Sequence, residues 1–414
     1  MNMSSFFNLF RQKGVALGGR ESPRPMVAYQ CLGKPLWSDQ DYATLVKVGY
    51  QQNVIAYRCV ELISKSLAGV PWMVYEKTAK GEYELPAHPL LALLRQPNAL
   101  QSWCSLMKEF VSQLLLSGNA YLQLSRPPGK GTSESPNKLK VLRPDRVRIL
   151  VDGEGKPVGY EVTKKRTKKV FTFDRKTGVS DILHVKMFHP TNDWYGMSPL
   201  EAASHSIDQH NAVGEHNLAI LQNGGRPSGA LIIRHPHDGQ NLNPQQREHL
   251  KRDLHEVYGG AQNAGKILVL EGNCEWKEMG LSPKDLDFHS GRQMAAREIA
   301  QAFGVPTILI GLTEDATYSN YKEARLNLWE ETLLPLLDYL AAELNRWLVP
   351  FFGENLELRY DRDAIPALAS KRDSLWETLQ KSDFLTVNEK RQILGFSPLS
   401  AERIATELPE LRHH

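Results

Sequence analysis

The sequence predicts an α+β fold on three observations. Apolar residues recur every four positions and then stop at glycine in two stretches, ending at Gly69 and Gly118. Between Leu139 and Met187 the period changes to two. Two long helical stretches, 198–224 and 282–303, then bracket a segment patterned strand, helix, strand. A chain of 414 residues carries two or three domains of this kind.

Each element follows in order. Residues 1–43 have little periodicity, with Arg11, Lys13, Arg20, Arg24 and Lys34 against Glu21 and Asp39, and read as a flexible N-terminal arm. Ile55, Cys59, Ile63 and Leu67 form a helical stripe, and Gly69 with Pro71 stops it before an apolar strand at Trp72–Tyr75. Ser102 caps a second helix to Ser117, and Gly118 ends it before a strand at Ala120–Leu124. Cys59 and Cys104 lie in these helices and read as small buried hydrophobes. Short strands are expected at Val147–Val151, Gly159–Val162, Val170–Phe173 and Ile182–Val185. The basic run Lys164, Lys165, Arg166, Lys168 and Lys169 falls on a hairpin turn with no interleaved aromatic residue, the pattern of a solvated turn.

From Ser198-Pro199 to Gly224-Gly225 the sequence predicts one helix about 39 Å long, with proline in its first turn and glycine past its end. Strands at Ala230–Arg234, Lys266–Leu270 and Cys274–Lys277 and a helix at Pro244–Tyr258 make up the bracketed insertion. A second long helix runs from Ser282-Pro283 to Phe303. Gly311–Asn320 is polar and loop-like, and a third helix runs from Ser319 or Asn320 to Leu348 with a kink near Leu334, because Pro335 removes a backbone hydrogen bond. A strand at Leu356–Tyr360 and helices at Ala364–Lys381 and Val387–Leu394 complete the chain.

Composition excludes several functions. Fifty Lys and Arg against 47 Asp and Glu leave a charge of +3, too small for a chain devoted to gripping nucleic acid. The four cysteines form no CxxC pair, so neither a zinc finger nor a disulfide framework is indicated, and synthesis in a reducing cytoplasm fits. No apolar run approaches the ~20 residues that span a bilayer, so no membrane partner is expected.

Catalytic constellations are also missing. Gly260–Lys266 spells G-x4-G-K, yet Ile267 stands where a magnesium-coordinating hydroxyl belongs, and the predicted order of helix and strand is inverted. His205, His210 and His216 are spaced five and six apart, which does not align them on one helix face, and with His184 and His189 they read as solvated or partner-facing. Asp361-Arg362-Asp363 reads as a self-neutralising turn. Neither a cofactor nor a metal is called for, and the pattern favours a structural or conduit role over an enzyme.

Five phrases in a fixed order carry a resemblance: Gly196-Met-Ser-Pro-Leu200, the N-G-G-R-P-S-G stretch Asn223–Gly229, Ala302-Phe-Gly-Val-Pro306, Tyr318-Ser319-Asn320, and Thr332-Leu-Leu-Pro-Leu-Leu337. From about Tyr50 to Leu399 the chain resembles the portal proteins of long-tailed double-stranded DNA bacteriophages, of the Hong Kong ninety-seven type. The resemblance implies a phage portal fold: an α/β wing at 44–197 completed by 351–362, a stem of two helices at 198–224 and 282–304, and a small α/β clip at 225–281. It further implies a tunnel loop region at 305–320, a kinked helix at 321–350, a short helical crown at 363–400 and a tail at 401–414.

Such a protein forms a cyclic ring, usually of twelve subunits, at one capsid vertex of the virion after synthesis in the bacterial host cytoplasm. DNA is packaged and later ejected through it. The implied partners are other copies of the chain, the terminase, the head-tail adaptor, the major capsid or scaffold protein, and double-stranded DNA passing without sequence specificity. The resemblance places Thr313, Glu314, Asp315, Thr317, Tyr318, Ser319 and Asn320 on the DNA path. The first stem helix holds Glu201, Asp208 and Glu215 but no Lys or Arg, which suits a wall along which a polyanion slides. The insertion from Arg226 to Glu278 balances seven basic against seven acidic side chains, which suits protein docking. The competing reading is an enzyme of the packaging system, a terminase or nuclease subunit, using the degenerate phosphate loop and Asp361 with Asp363.

Overall fold

The structure is a computed structural model. It describes residues 37–393 except 40, 80, 127–134, 165, 175–177, 223–228, 234–244, 246–247, 250–251, 253–273, 279–287, 313–316 and 383. The N-terminal arm, most of the predicted clip, the Gly260–Lys266 stretch and the centre of the predicted tunnel loop therefore lie outside the described residues.

A π-helical turn, Leu45–Gln51, leads into α1 (Val54–Ala68), whose stripe of Ile55, Cys59, Ile63 and Leu67 is buried as its four-residue spacing requires. Strand β1 (Trp72–Thr78) and the edge strand β2 (Gly81–Glu84) follow, then α2 (Pro89–Arg95) and α3 (Trp103–Ser117). Both predicted ends of α3 are observed. The Ser102 side chain accepts from the Ser105 amide, and Gly118 takes the left-handed conformation at φ 70° that glycine adopts without strain. Cys59 is fully buried, and burial pushes its thiol up to about 12. Cys104 corrects the expectation: it lies on the outer side of α3 and is exposed.

The remaining strands are β3 (Asn119–Ser125), β4 (Lys138–Leu142), β5 (Val147–Val151), β6 (Pro157–Lys164), β7 (Thr167–Thr172) and β8 (Ile182–Lys186). They form two antiparallel three-stranded sheets, ordered β4-β3-β8 and β5-β6-β7. Lys168 and Lys169 of the basic run lie on β7, where Lys168 pairs with Glu161 at 2.9 Å and Lys169 sits over the Phe171 ring.

Helix α4 (Pro199–Ala202) is only four residues long, and α5 (Ser204–Gln222) is separate from it. The predicted unbroken helix is thus interrupted at Ala203, whose ψ of 3° departs from the α-helical value. Leu200 in α4 is completely buried, packed where a Cβ at Gly49 would come within 2.9 Å of its Cδ1. Strands β9 (Gly229–Ile233) and β10 (Cys274–Glu278) pair antiparallel, and α6 (Phe288–Ala302) follows.

The phrase Ala302–Pro306 ends α6 in a Schellman arrangement. The Val305 amide donates to the Ala300 carbonyl at 2.9 Å, the Gly304 amide donates to Gln301 at 2.9 Å, and Gly304 has φ 66°. The Thr332 hydroxyl donates to the Gly304 carbonyl at 2.7 Å, so two of the five phrases meet in space.

The third long helix has three parts: α7 (Tyr318–Asn327), a π-helical turn at Leu328–Leu333, and α8 (Leu334–Trp347) with Pro335 in its first turn. The π turn relocates the carbonyl that a proline at 335 would otherwise strike, so the irregularity lies just ahead of the proline. Strand β11 (Leu356–Tyr360) pairs antiparallel with β1, Val74 opposite Leu358, and completes a sheet ordered β11-β1-β2. Short helices α9 (Ala369–Gln380) and α10 (Val387–Ile393) end the described chain. One hydrophobic cluster runs from Leu45 to Ile365, and a smaller one around Tyr121, Tyr160 and Phe171 lies against the β5-β6-β7 sheet.

Candidate functional site

Helices α5 and α6 lie side by side. Ser206 donates to Glu298 at 2.7 Å, His210 lies 3.4 Å from the Arg292 guanidinium, and the rings of His216 and Phe288 meet at a 53° tilt with centroids 4.7 Å apart. One partner number rises as the other falls, so the two helices are antiparallel. The pair is rooted at one end, where Ile207, Asp208, His210, Ala296 and Ile299 are buried. Further along, Leu218 and Leu221 are each more than half exposed, as is Met294 beside the root, apolar surface that the described residues leave uncovered.

A buried polar knot holds the root. The Asn53 side-chain oxygen accepts from the Ile55 and Ala56 amides, capping α1, while its nitrogen donates to Asn211 at 3.0 Å and faces His210 Nδ1 at 3.2 Å. Asn211 in turn donates to the Val48 carbonyl. Asn53 is 1 % exposed and all four of its hydrogen-bonding positions are used. Both neighbours of the His210 ring, Asn53 Nδ2 and Arg292 Nε, are donors, so a second ring proton would face a donor on each side. Burial first and the Arg292 charge second lower the pKa of His210.

A second knot explains the phrase beginning at Gly196. Asn119 accepts through one oxygen from the Gly196 amide at 2.8 Å and from His184 Nε2 at 3.0 Å, and donates to the Gly196 and Ser117 carbonyls. Gly196 fixes which way the amide faces, so the His184 proton sits on Nε2. Ser198 then caps α4 by accepting from the Glu201 amide. His184 stacks on Tyr121 at 4.4 Å, and burial, reinforced by Lys186, pushes its pKa down to about 3. The reading of His184 and His210 as solvated or partner-facing is therefore corrected: both are internal structural groups.

The sign of the pH effect follows. A histidine whose folded pKa lies below 6.5 destabilises the fold as pH drops through 6.5, because the unfolded ring takes up a proton that the folded one refuses. His184 alone is expected to cost about 1.3 kcal/mol at pH 5.5 relative to pH 7, with His210 adding in the same direction. The carboxylates held low by their partners, Glu82 and Glu357 beside Arg359 and Asp41 at its cap, act only at more acid pH. Urea midpoints at pH 7 and pH 5.5 check this, and an unchanged midpoint would show that the rings take up protons freely.

The predicted site residues are dispersed. Glu201 is half-buried in the first turn of α4, and the break at Ala203 takes it out of the seven-residue register with the other two. Asp208 is 3 % exposed, and its two oxygens accept from the Ser38 amide and hydroxyl at 2.8 and 2.7 Å, a structural role within the chain. Glu215 is exposed. Thr313, Glu314 and Asp315 lie outside the described residues. Thr317 is the N-cap of α7, and Tyr318, Ser319 and Asn320 form its exposed first turn, so the helix begins one or two residues ahead of the expected start at Ser319 or Asn320. Asp361 accepts from the Asp363 and Ala364 amides, and Asp363 lies 3.5 Å from Arg372, so both carboxylates are engaged in the turn. Sequence reasoning missed Asn53, Asn119 and Arg292, since a single buried amide leaves no periodic signal.

Comparison with known proteins gives a consistent result. The family described as phage portal protein matches residues 55–395. The portal protein of Enterobacteria phage HK97 is 26% identical over 357 residues, covering 84% of this chain and 80% of its own length. Two solved structures of gene transfer agent particles superpose over 89% of this chain and 96% of theirs: the neck of an empty particle computed with C6 symmetry, 41% identical with a TM-score of 0.68, and the neck of a native particle computed with C12 symmetry, 40% identical with a TM-score of 0.66.

Proposed function

The chain belongs to the phage portal protein family, and from that premise we propose that it forms a closed homo-oligomeric ring of twelve subunits in the neck of a phage-like particle. The family is structural, not enzymatic, which removes the terminase or nuclease reading. The observation that carries the proposal is the likeness, at 40% identity and over nearly the full length, to a neck determined with twelve-fold symmetry. The rooted, antiparallel pair α5 and α6, with apolar residues uncovered along its outer part, supports contact between copies through head-to-tail surfaces.

In this reading β1 to β8 with β11 are the wing, α5 and α6 the stem, the segment between them the clip, and α9 and α10 the crown. The ring sits at the capsid vertex and conducts double-stranded DNA inward during packaging and outward on ejection. The clip receives the terminase and later the head-tail adaptor. Of Glu201, Asp208 and Glu215 on the first stem helix, Glu215 is the exposed one that would face a bore, where it would repel phosphates and keep the duplex sliding. The segment Thr313–Asn320 leads into α7 by way of the Thr317 cap, so Tyr318, Ser319 and Asn320 reach DNA from a helix end while Glu314 and Asp315 limit the grip.

Native mass spectrometry of the purified chain tests the ring: masses many times 46.8 kDa are expected, and monomers alone at high concentration would refute it. For the conduit, particles carrying Glu314→Lys with Asp315→Lys are expected to package DNA more slowly in low salt, about two added phosphate contacts per subunit. Unchanged packaging would remove this segment from the DNA path.

A further inference from the structure

A cleft of about 430 Å³ opens between α1, the π-helical turn before α8 and the residues ahead of α9. Along α1 it is lined by Arg58, Leu62 and Lys65, one helical stripe, and along α7 by Tyr321 and Arg325, with Trp329 below. Arg58, Lys65 and Arg325 are exposed, and none makes an ion pair among the described residues. The floor is apolar while the rim carries three cations. A DNA duplex is too wide to enter a cleft of this size and would meet only the rim, leaving the apolar floor without a use. A helix face carrying carboxylates beside an apolar side chain would fill both.

The chain carries such a face elsewhere. Helix α9 is neutral overall, with Lys371 and Arg372 against Asp373 and Glu377. Among its described side chains only Leu379 is buried, and Leu375 and Trp376 are 41% and 44% exposed. Asp373, Trp376 and Glu377 stand at i, i+3 and i+4 and share one face, and neither carboxylate has an ion-pair partner among the described residues. Within one chain this face does not reach the cleft. No residue of α9 lines it, and the helix is tied down at its start by Lys371 to Glu330 and by Arg372 to Asp363. A head-to-tail ring needs two different, complementary patches on each subunit, and these two qualify by charge and by apolar content.

We propose that the cleft is one half of the contact between neighbouring subunits, and that the Asp373, Trp376 and Glu377 face of the adjacent copy seats in it. The proposal rests on the ring reading. The test reverses each half separately. Chains with Arg58→Glu and Lys65→Glu, or with Asp373→Lys and Glu377→Lys, are purified, checked by circular dichroism for parental helix content, and weighed by native mass spectrometry. Each variant alone is expected to lose most of its rings, because every interface then joins like charges. Mixed one to one, the two restore rings, which contain only even subunit numbers because the copies must alternate.

Parental rings with undiminished rings in both variants would overturn this contact while leaving the ring itself standing. Absence of rings in the parent would overturn the ring reading instead. Rings of Arg58→Glu, Lys65→Glu that close normally but release DNA at lower salt would assign the cleft to the duplex and likewise overturn the proposal.

Discussion

Substituting Gly196 by alanine is expected to destabilise the fold by about 3 kcal/mol or more, and to leave no assembled ring. A Cβ at this position would stand 2.7 Å from both the amide nitrogen and the carbonyl oxygen of Met187, and closer still to the Gly118 carbonyl oxygen. All three are backbone atoms, so no rotamer change makes room. The segments pressed together are the end of α3, the end of β8 and the start of α4, and parting them breaks both hydrogen bonds between Gly196 and Asn119. His184 shares the same Asn119 oxygen, so the loss spreads into β8. Gly118 is restricted twice over, by its φ of 70° and by an approach of 2.5 Å to the Gly196 and Met197 carbonyl carbons. Gly291, by contrast, has open space around it inside α6, and Gly291→Ala is expected to raise stability by up to about 1 kcal/mol. Urea unfolding of the two variants separates them, and equal midpoints would deny the close approach at Gly196.

The contrast between these glycines marks what a sequence reveals. The two ends of α3 were readable because a cap and a left-handed glycine are local, each decided within four residues. The alternation of β5 to β8 was readable for the same reason. The break at Ala203 was not, because the run Ala202-Ala203-Ser204 carries no proline or glycine. Pro335 signalled an irregularity but not its form, since a kink and a π turn both satisfy the missing amide. Strand β11 was readable as a strand and the resemblance assigned it to the wing, but its pairing with β1, Val74 opposite Leu358 across 284 positions (358 minus 74), was not readable. For the site, composition pointed to a conduit without locating its wall. Asp208 was indistinguishable from Glu215 in sequence, and only burial against Ser38 separates them.

Asn53 is where α1 and α5 are joined, and its substitution separates the two roles of one side chain. In Asn53→Ala the Ile55 and Ala56 amides lose their cap, at about 1 kcal/mol, and the buried acceptors on His210 and Asn211 lose their donor, at about 1 to 2 kcal/mol more. A total near 3 kcal/mol is expected from urea unfolding. Asn53→Asp keeps the cap, because a carboxylate oxygen accepts from the same two amides, but it replaces a donor facing His210 Nδ1 with an anion. The imidazole then gains from holding a second proton, and its pKa rises above 6.5 instead of lying below it. The linkage reverses accordingly. In the parent, stability falls as pH drops through 6.5; in Asn53→Asp the His210 contribution is fully present below 6.5 and is lost as pH climbs through the raised value. NMR titration of the His210 ring together with urea midpoints at pH 5.5 and 8 reads both effects. A His210 pKa that stays low in Asn53→Asp would mean that burial and the Arg292 charge, not residue 53, govern the ring, Arg292 being the charged side chain that meets it among the described residues.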